Sequence, residues 1–350
     1  MKKITLLFLL TILCSTTVVY SQDPQLSLFY AFQPYLNPAF AGGAHHHRTM
    51  MHFRNQWPSN EAKYTTYATS FDTYFAHKKV GLGGILMYDN QGFGTLNTYS
   101  IDIQSSYEIN LDKKWTLRPG LSLGIGNKRL ADGLTYSQQF TDITGFEASR
   151  ASGEAFPSYS VLYPTVGAGG VLYSNRMWVG ISGKHLNYPN ISFLGQGPNS
   201  KLPANFNFHA GYKIPLVHEP HMAYLQDERD ISVTPVLHYK AQGKSDQSDA
   251  GVYLTYDQLL LGIWYRGIPL LKQYERGEKN NESFVFMGGW NIDGLTISYA
   301  YDATISKLTG YTAGAHEINL TYIFQKKHKH GHPPLKVLPC PNLHHPNKHH

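Results

Sequence analysis

Three adjacent histidines, His45, His46 and His47, and seven in the tail, His328, His330, His332, His344, His345, His349 and His350, are the side chains here best suited to metal chemistry. Neighbouring side chains of an extended segment point in alternating directions, so the triplet alone does not supply a tetrahedral set. The tail could collect a divalent ion, but its lack of any strand period reads first as a solvated extension. Of the two cysteines, Cys14 lies in an N-terminal apolar run, and Leu13 before it is too large for lipid attachment. With that run removed Cys340 is the only thiol, and no intrachain disulfide is expected. Serine, histidine and aspartate are plentiful, yet the one G-x-S-x-G match, Gly120 to Gly124, lies within a strand pattern rather than at a strand-to-helix elbow, and no H-E-x-x-H pair occurs. The stretch Asp89-Asn90-Gln91-Gly92 lacks the ligand ladder and distal glutamate of a calcium loop and reads as a turn. GIGNKR at 124–129 lacks the spacing of a phosphate loop, and Gly81 to Gly84 and Gly167 to Gly170 read as strand glycines that relieve crowding. No catalytic residue, no metal and no cofactor is therefore expected.

Composition narrows the class. Aromatic residues make up 13% of the 350 residues, with 25 Tyr, whereas charged residues make up only 15% against an average near 25%. The net charge of +6 is unevenly placed. Without Lys2 and Lys3 and the five tail lysines Lys326, Lys327, Lys329, Lys336 and Lys348, 23 basic residues face 24 acidic ones. Such a neutral body gives no electrostatic case for nucleic acid.

Four regions follow. Residues 1–21 read as a secretory signal, with Lys2-Lys3, an apolar run from Ile4 to Leu13 and a cleavage region ending at Ser21. Residues 22–47 carry Pro24, Pro34 and Pro38 among Leu28, Phe29, Phe32, Tyr35, Leu36 and Phe40. Proline excludes a regular strand and the apolar side chains need cover, so this segment is expected to plug a larger unit or lie in its periplasmic mouth. Residues 48–324 hold the strand patterns, and 325–350 form a basic, His- and Pro-rich tail expected on the periplasmic side.

The last hairpin shows the pattern most clearly. Leu295, Ile297, Tyr299 and Tyr301 alternate with Thr296, Ser298, Ala300 and Asp302, and Ile318, Leu320, Tyr322 and Phe324 alternate with Glu317, Asn319 and Thr321. A period of two marks strands with one apolar and one polar face. It recurs over 48–57, 64–75, 79–89, 95–110, 115–124, 162–173, 177–186, 204–214, 231–241, 250–257, 259–266, 283–291, 295–302 and 315–324. Fourteen is an even number, as single-chain bacterial barrels require, and aromatic residues close the apolar rows. Connections alternate between short, as at 76–78, 174–176 and 292–294, and long, as at 125–161, 187–203 and 267–282, with 215–230 and 58–63 as exceptions. The expectation is an all-β, antiparallel transmembrane barrel of about 14 strands, whose inward polar residues face a hydrated lumen.

The mature start QDPQLSLFYAFQPYLNPAFAG resembles the N-terminal signature of the PorP/SprF family of type IX secretion system membrane proteins. FRNQWP at 53–58, VGLGGILMYDNQGFG at 80–94, SYAYDATISKL with GAHEINLTYIF at 298–324 and VLPCPNL at 337–343 resemble it in the same order. Gln33-Pro34-Tyr35 departs from the family's more usual Asn-Pro, and the His-rich tail has no family counterpart. The resemblance implies a non-enzymatic bacterial outer-membrane component of the secretion and gliding machinery. Its implied partners are the outer-membrane lipid bilayer and periplasmic ring lipoproteins, an exported surface adhesin, or both. Asn37, Pro38, Gly42, Arg54, Gln56 and Trp57 match family motifs and are expected to shape a docking surface or plug, or to serve barrel integrity, with Trp57 in the aromatic girdle. The alternative is a porin or small-molecule transporter, with Asp102, Glu108, His209 and Lys213 lining an open path.

Overall fold

The computed structural model describes residues 22–60, 63–92, 95–131, 140–141, 145–146, 158–194, 200–216, 231–267, 281–306, 309–324 and 339. Fourteen long strands alternate in direction: β1 (His47–Gln56), β2 (Tyr64–Phe75), β3 (Val80–Gln91), β4 (Leu96–Tyr107), β5 (Thr116–Leu130), β6 (Ser160–Tyr173), β7 (Met177–Lys184), β8 (Asn205–Tyr212), β9 (Ile231–Gln242), β10 (Ser245–Tyr256), β11 (Leu259–Gly267), β12 (Asn281–Ile292), β13 (Leu295–Thr304) and β14 (Ala315–Phe324). Each pairs with its sequence neighbours, and β1 pairs with β14 from His47↔Phe324 to Gln56↔Ala315. The sheet is closed, so none of these strands presents an unpaired edge. Two-residue pieces, Ile109–Asn110 and Ile214–Pro215, continue the ladder beside β5 and β9.

The two faces differ as the alternation demands. On β4 and β5, Ile101, Ile103, Leu121, Leu123 and Ile125 are exposed, whereas Asp102, Gln104, Arg118 and Ser122 between them are buried. Tyr67, Tyr88 and Tyr99 continue the outer face across β2, β3 and β4, with ring centroids 6.2 and 4.9 Å apart. Apolar outward side chains on a closed sheet belong against lipid, where every backbone polar group must be satisfied within the protein.

Two strands run longer than the sequence pattern suggests by five residues or more. β5 continues past residue 124 to Leu130, and β10 begins at Ser245 rather than at 250. Residues 245–249 are polar on both faces, which hides the period of two, yet they pair with 238–242 of β9 across a tight Gly243-Lys244 turn. One end of the barrel carries the connections 131–159, 185–204, 268–280 and 305–314, and the other carries 76–79, 174–176, 257–258 and 293–294. We call them the long-loop and short-turn ends.

Candidate functional site

Ahead of β1 the chain lies inside the barrel. It starts among the long-loop ends of the strands, where Asp23 accepts from Asn205 Nδ2 at 2.8 Å and sits 2.9 Å from His185 Nε2. Pro34 sits in the first turn of a one-turn helix, α1 (Gln33–Leu36), where a missing N–H costs nothing. The segment doubles back here, and Tyr35 donates to the carbonyl of Pro24 at 2.8 Å. Asn37 then caps a single 3-10 turn, Pro38–Phe40, by accepting from Ala39 N at 3.0 Å. The chain leaves at the short-turn end, where His45 Nε2 lies 2.8 Å from Glu108.

Apolar side chains of this segment supply much of the interior. Leu28, Phe29, Tyr30, Leu36 and Phe40 pack with Tyr173, Trp178, Tyr253 and Trp264 of the wall, while Leu26 and Phe32 pack with Met50, Ile85 and Met87. Tyr30 meets Trp178 edge-on at 5.6 Å and donates to the carbonyl of Ala210 at 3.2 Å. Burying this many aromatic side chains at roughly 1.5–3 kcal/mol each is the main attraction holding the segment.

Polar side chains fix its position. Ser27 Oγ accepts from Arg54 Nη1 at 2.9 Å and Arg266 Nη1 at 2.8 Å, and donates to Asp302 at 2.6 Å, so both lone pairs and its proton are used. The N–H groups of Ser27 and Leu28 donate to Glu317 at 2.6 and 2.7 Å. Arg54 also pairs with Glu317 and, at 3.1 Å, with Asp302. Arg266 binds Asp302 at 2.8 Å and Asp249 at 2.7 Å. A second anchor joins Arg48 to Asp72 at 2.9 Å, to Gln33 at 2.8 Å and to the Phe40 carbonyl at 3.2 Å. A third joins Arg118 to the Ala41 carbonyl and to Ser106, each at 2.8 Å. All three anchors hold an arginine against a carboxylate, Arg118 lying 3.4 Å from Glu108, and keep it from water, where a charge is tolerated only with such partners.

The inward polar residues therefore meet protein, and the expectation of a hydrated lumen is corrected: cavities of ≈40, ≈20 and ≈30 Å³ remain between segment and wall, each near the size of a water molecule. Asp102 lies 3.3 Å from Lys184, Glu108 is held by His45 and Arg118, and His209 is fully buried against Asn37 Nδ2 at 3.2 Å. None of these three lines an open path, and the backbone N–H of Lys213 donates to the Arg176 carbonyl at the short-turn end. At Asp23 burial pushes the carboxyl up, but His185, then Lys184 and Lys240, outweigh it and hold the group below the usual carboxylate range.

The six motif residues fall at different places. Asn37 Nδ2 donates to the carbonyls of Ile181 at 3.0 Å and Gly170 at 3.3 Å, tying the segment to β6 and β7. Pro38 starts the 3-10 turn. Gly42 has a φ of +68° and donates to Asp72 at 2.7 Å, and a Cβ there would stand 2.7 Å from Gly81 Cα. Arg54 is in the Ser27 network, and Gln56 Oε1 accepts from its Nε and Nη2 at 3.3 and 3.0 Å. Trp57 stands at the long-loop mouth, where it meets Tyr64 edge-on at 5.4 Å and lines a cavity of ≈710 Å³ together with Gln56. Ser27, Arg48, Arg266 and Glu317 escape motif reading as site residues; their signal is an ionisable or hydroxyl side chain at an inward or apolar position in a chain with few charges. Among the described residues no group of three metal-ligating side chains forms. His45 turns to Glu108 and His47 Nδ1 to Thr73 Oγ1 at 2.7 Å, and the tail histidines lie outside the described residues.

Solved barrels resemble this fold distantly. The Pseudomonas putida toluene transporter TodX is 13% identical, with 83% of this chain and 93% of that one covered at a TM-score of 0.45. A Pseudomonas aeruginosa FadL homologue is 11% identical over 88% and 96% at a TM-score of 0.41, and a Rh. blastica porin mutant is 7% identical over 80% and 99% at 0.33. Comparison with curated proteins gives no match. The family profile described as "Type IX secretion system membrane protein PorP/SprF" matches residues 18–322. An outer-membrane-type barrel carrying that match over most of its length belongs to the PorP/SprF family of type IX secretion system membrane proteins.

Proposed function

We propose that the protein is a non-enzymatic outer-membrane component of the type IX secretion and gliding machinery, sealed by its own N-terminal segment and active through its rims. The long-loop rim faces outward and holds an exported surface adhesin, and the short-turn rim meets periplasmic ring lipoproteins. This orientation follows the usual rule of long outer loops and short periplasmic turns. It places residues 325–350 in the periplasm, beside the end of β14, once residues 1–21 are removed as a signal. The observation that carries the reading is the network around Ser27, in which two arginines and two carboxylates of the wall converge on one residue of the segment. A lumen filled at such electrostatic cost is not built for diffusion, which weighs against the porin alternative. Asn37, Pro38, Gly42 and Arg54 are assigned to seating the segment, and Gln56 and Trp57 to the outer rim.

In-membrane cross-linking of the tagged protein, mild solubilisation and identification of what co-purifies tests this. Recovery of ring lipoproteins or of one large surface adhesin is expected. Recovery of the barrel alone, with steady ion conductance in planar bilayers, would replace the reading with a porin.

A further inference from the structure

We propose that the long-loop mouth of the barrel is a binding site for a neutral saccharide, with Trp57 and Tyr64 as its stacking platform and Gln56 and Gln91 as its flanking hydrogen-bond pair. The cavity there measures ≈710 Å³, within the range of roughly 300–1,000 Å³ common for ligand clefts. Its floor is the start of the N-terminal segment, and the strand ends form its wall.

One row of the sheet sets the chemistry. Gln56 of β1 pairs with Tyr64 of β2, and Tyr64 pairs with Gln91 of β3. All three share the inward parity of their strands and line the cavity, so the amides flank the phenol across two strand spacings, about 10 Å. Their orientations follow from their partners. Gln56 accepts from Arg54, which can only donate, so its carbonyl is spent and its NH₂ remains for a ligand. Gln91 donates at 2.7 Å to Asp89, whose carboxylate only accepts, so its carbonyl remains. The row thus offers one donor and one acceptor either side of an aromatic ring. A pyranose matches this, with a C–H face to stack and hydroxyls at its edge that both donate and accept.

Trp57 gives an independent indication. Its φ of +57° is a backbone conformation that a bulky residue rarely holds, and turns that need it usually carry Gly or Asn. The strained residue is fixed by Trp57 N donating to the Gly314 carbonyl at 2.8 Å and by Asn60 N donating to the Trp57 carbonyl at 3.0 Å. The strain places a large ring at the cavity, which fits a role in contact rather than in turning. The carboxylates of Asp246 and Glu282 line the same space and are further acceptors for hydroxyls. A peptide is the weaker match, because the closed sheet presents no strand edge for it to extend.

The test uses the full mature protein in detergent micelles, titrated with maltohexaose, cellohexaose, hexa-N-acetylchitohexaose and, for comparison, a neutral Gly-Ser peptide of similar length. Binding is read by calorimetry, and folding of every variant by heat-dependent electrophoretic mobility. Saturable binding of at least one saccharide is expected. It weakens about tenfold in W57A, severalfold in Q56A and Q91A, less in W57F, and not at all in W290A, whose indole is on the outer face. No saturable binding by any of the three saccharides, unchanged affinity in folded W57F and Q91A, or preference for the peptide would each overturn the proposal. Co-purification of a secretion partner is a separate measurement and stands or falls without it.

Discussion

Glu317, near the start of the last strand, accepts the backbone N–H of Ser27 at 2.6 Å, joining residues 290 positions apart in sequence. The contact bridges the seam where β14 meets β1, since Arg54 of β1 pairs with Glu317 and is its partner in the strand register. One carboxylate therefore serves both closure of the barrel and seating of the segment within it. Replacing it by alanine leaves Arg54 with one carboxylate fewer and two N–H groups unmatched. Loss of one partner in a buried pair costs about 3–5 kcal/mol. We expect E317A to lower the temperature at which the barrel loses its folded electrophoretic mobility, and to expose residues 22–44 to protease before the barrel unfolds. A double variant, R54M/E317L, should recover part of that loss, because no unpaired charge is left behind. Equal losses in the single and double variants would refute this account.

Gly42 tests whether the segment must approach the wall closely. Its positive φ disfavours any side chain, and a Cβ would also meet the Thr73 carbonyl oxygen and Gly81 Cα at 2.7 Å. Both contacts are backbone, which cannot swing aside. G42A is expected to cost about 1–3 kcal/mol and to loosen the hydrogen bond from Gly42 N to Asp72. G92A is the control, with φ of +50° but nothing within 4 Å of the added methyl, so its cost should stay near 1 kcal/mol. Thermal denaturation of both variants beside the parent chain gives the comparison.

The barrel was legible because lipid and interior impose opposite polarity on alternate residues. The pairs Ile101/Asp102 and Tyr299/Ala300 announce strand, face and membrane together. The occupied lumen was not legible in the same way. Asp102, Glu108 and His209 would show the same alternation facing water or facing a buried segment, and only their partners Lys184, Arg118 and Asn37 decide between these. Composition did mark residues 22–47 as apolar chain in need of cover, yet nothing in it names Ser27 as the point where two arginines meet. For Trp57 the motif identified the residue but not its direction. A φ of +57° turns it to the mouth of the barrel, whereas simple alternation and the girdle expectation would have set it against lipid.

The filled lumen predicts electrical behaviour. With cavities of only ≈20 to ≈40 Å³ between segment and wall beneath the ≈710 Å³ mouth, the parent protein should show no steady conductance in planar bilayers. Deleting residues 22–44 removes Leu28, Phe29, Tyr30, Phe32 and Phe40 from the interior, and a barrel of this size cannot fill that space with its own side chains. Stable ohmic steps are expected from the deletion variant, with the strand content of the parent retained by circular dichroism. Equal conductance in the two proteins would show that ions pass by a route the segment does not block.

The outer end of the segment should be acid-sensitive. Asp23 is half-buried, and desolvation raises its carboxyl, but His185, Lys184 and Lys240 bring it below its ordinary value of 3.8. A carboxylate held below its unfolded value stabilises the folded state fully above that unfolded value, and the contribution fades as pH falls toward the lowered one. Seating of the segment should thus be insensitive to this group above about pH 5 and weaken progressively below it. In D23N the carboxylate is absent, so the segment should be looser at neutral pH and its protection should depend less on pH. Limited proteolysis with pepsin from about pH 5 to pH 2 reads both slopes in the zone where the carboxyl of the released segment takes up its proton. Parallel slopes for D23N and the parent would assign the acid response to the carboxylates of the wall instead.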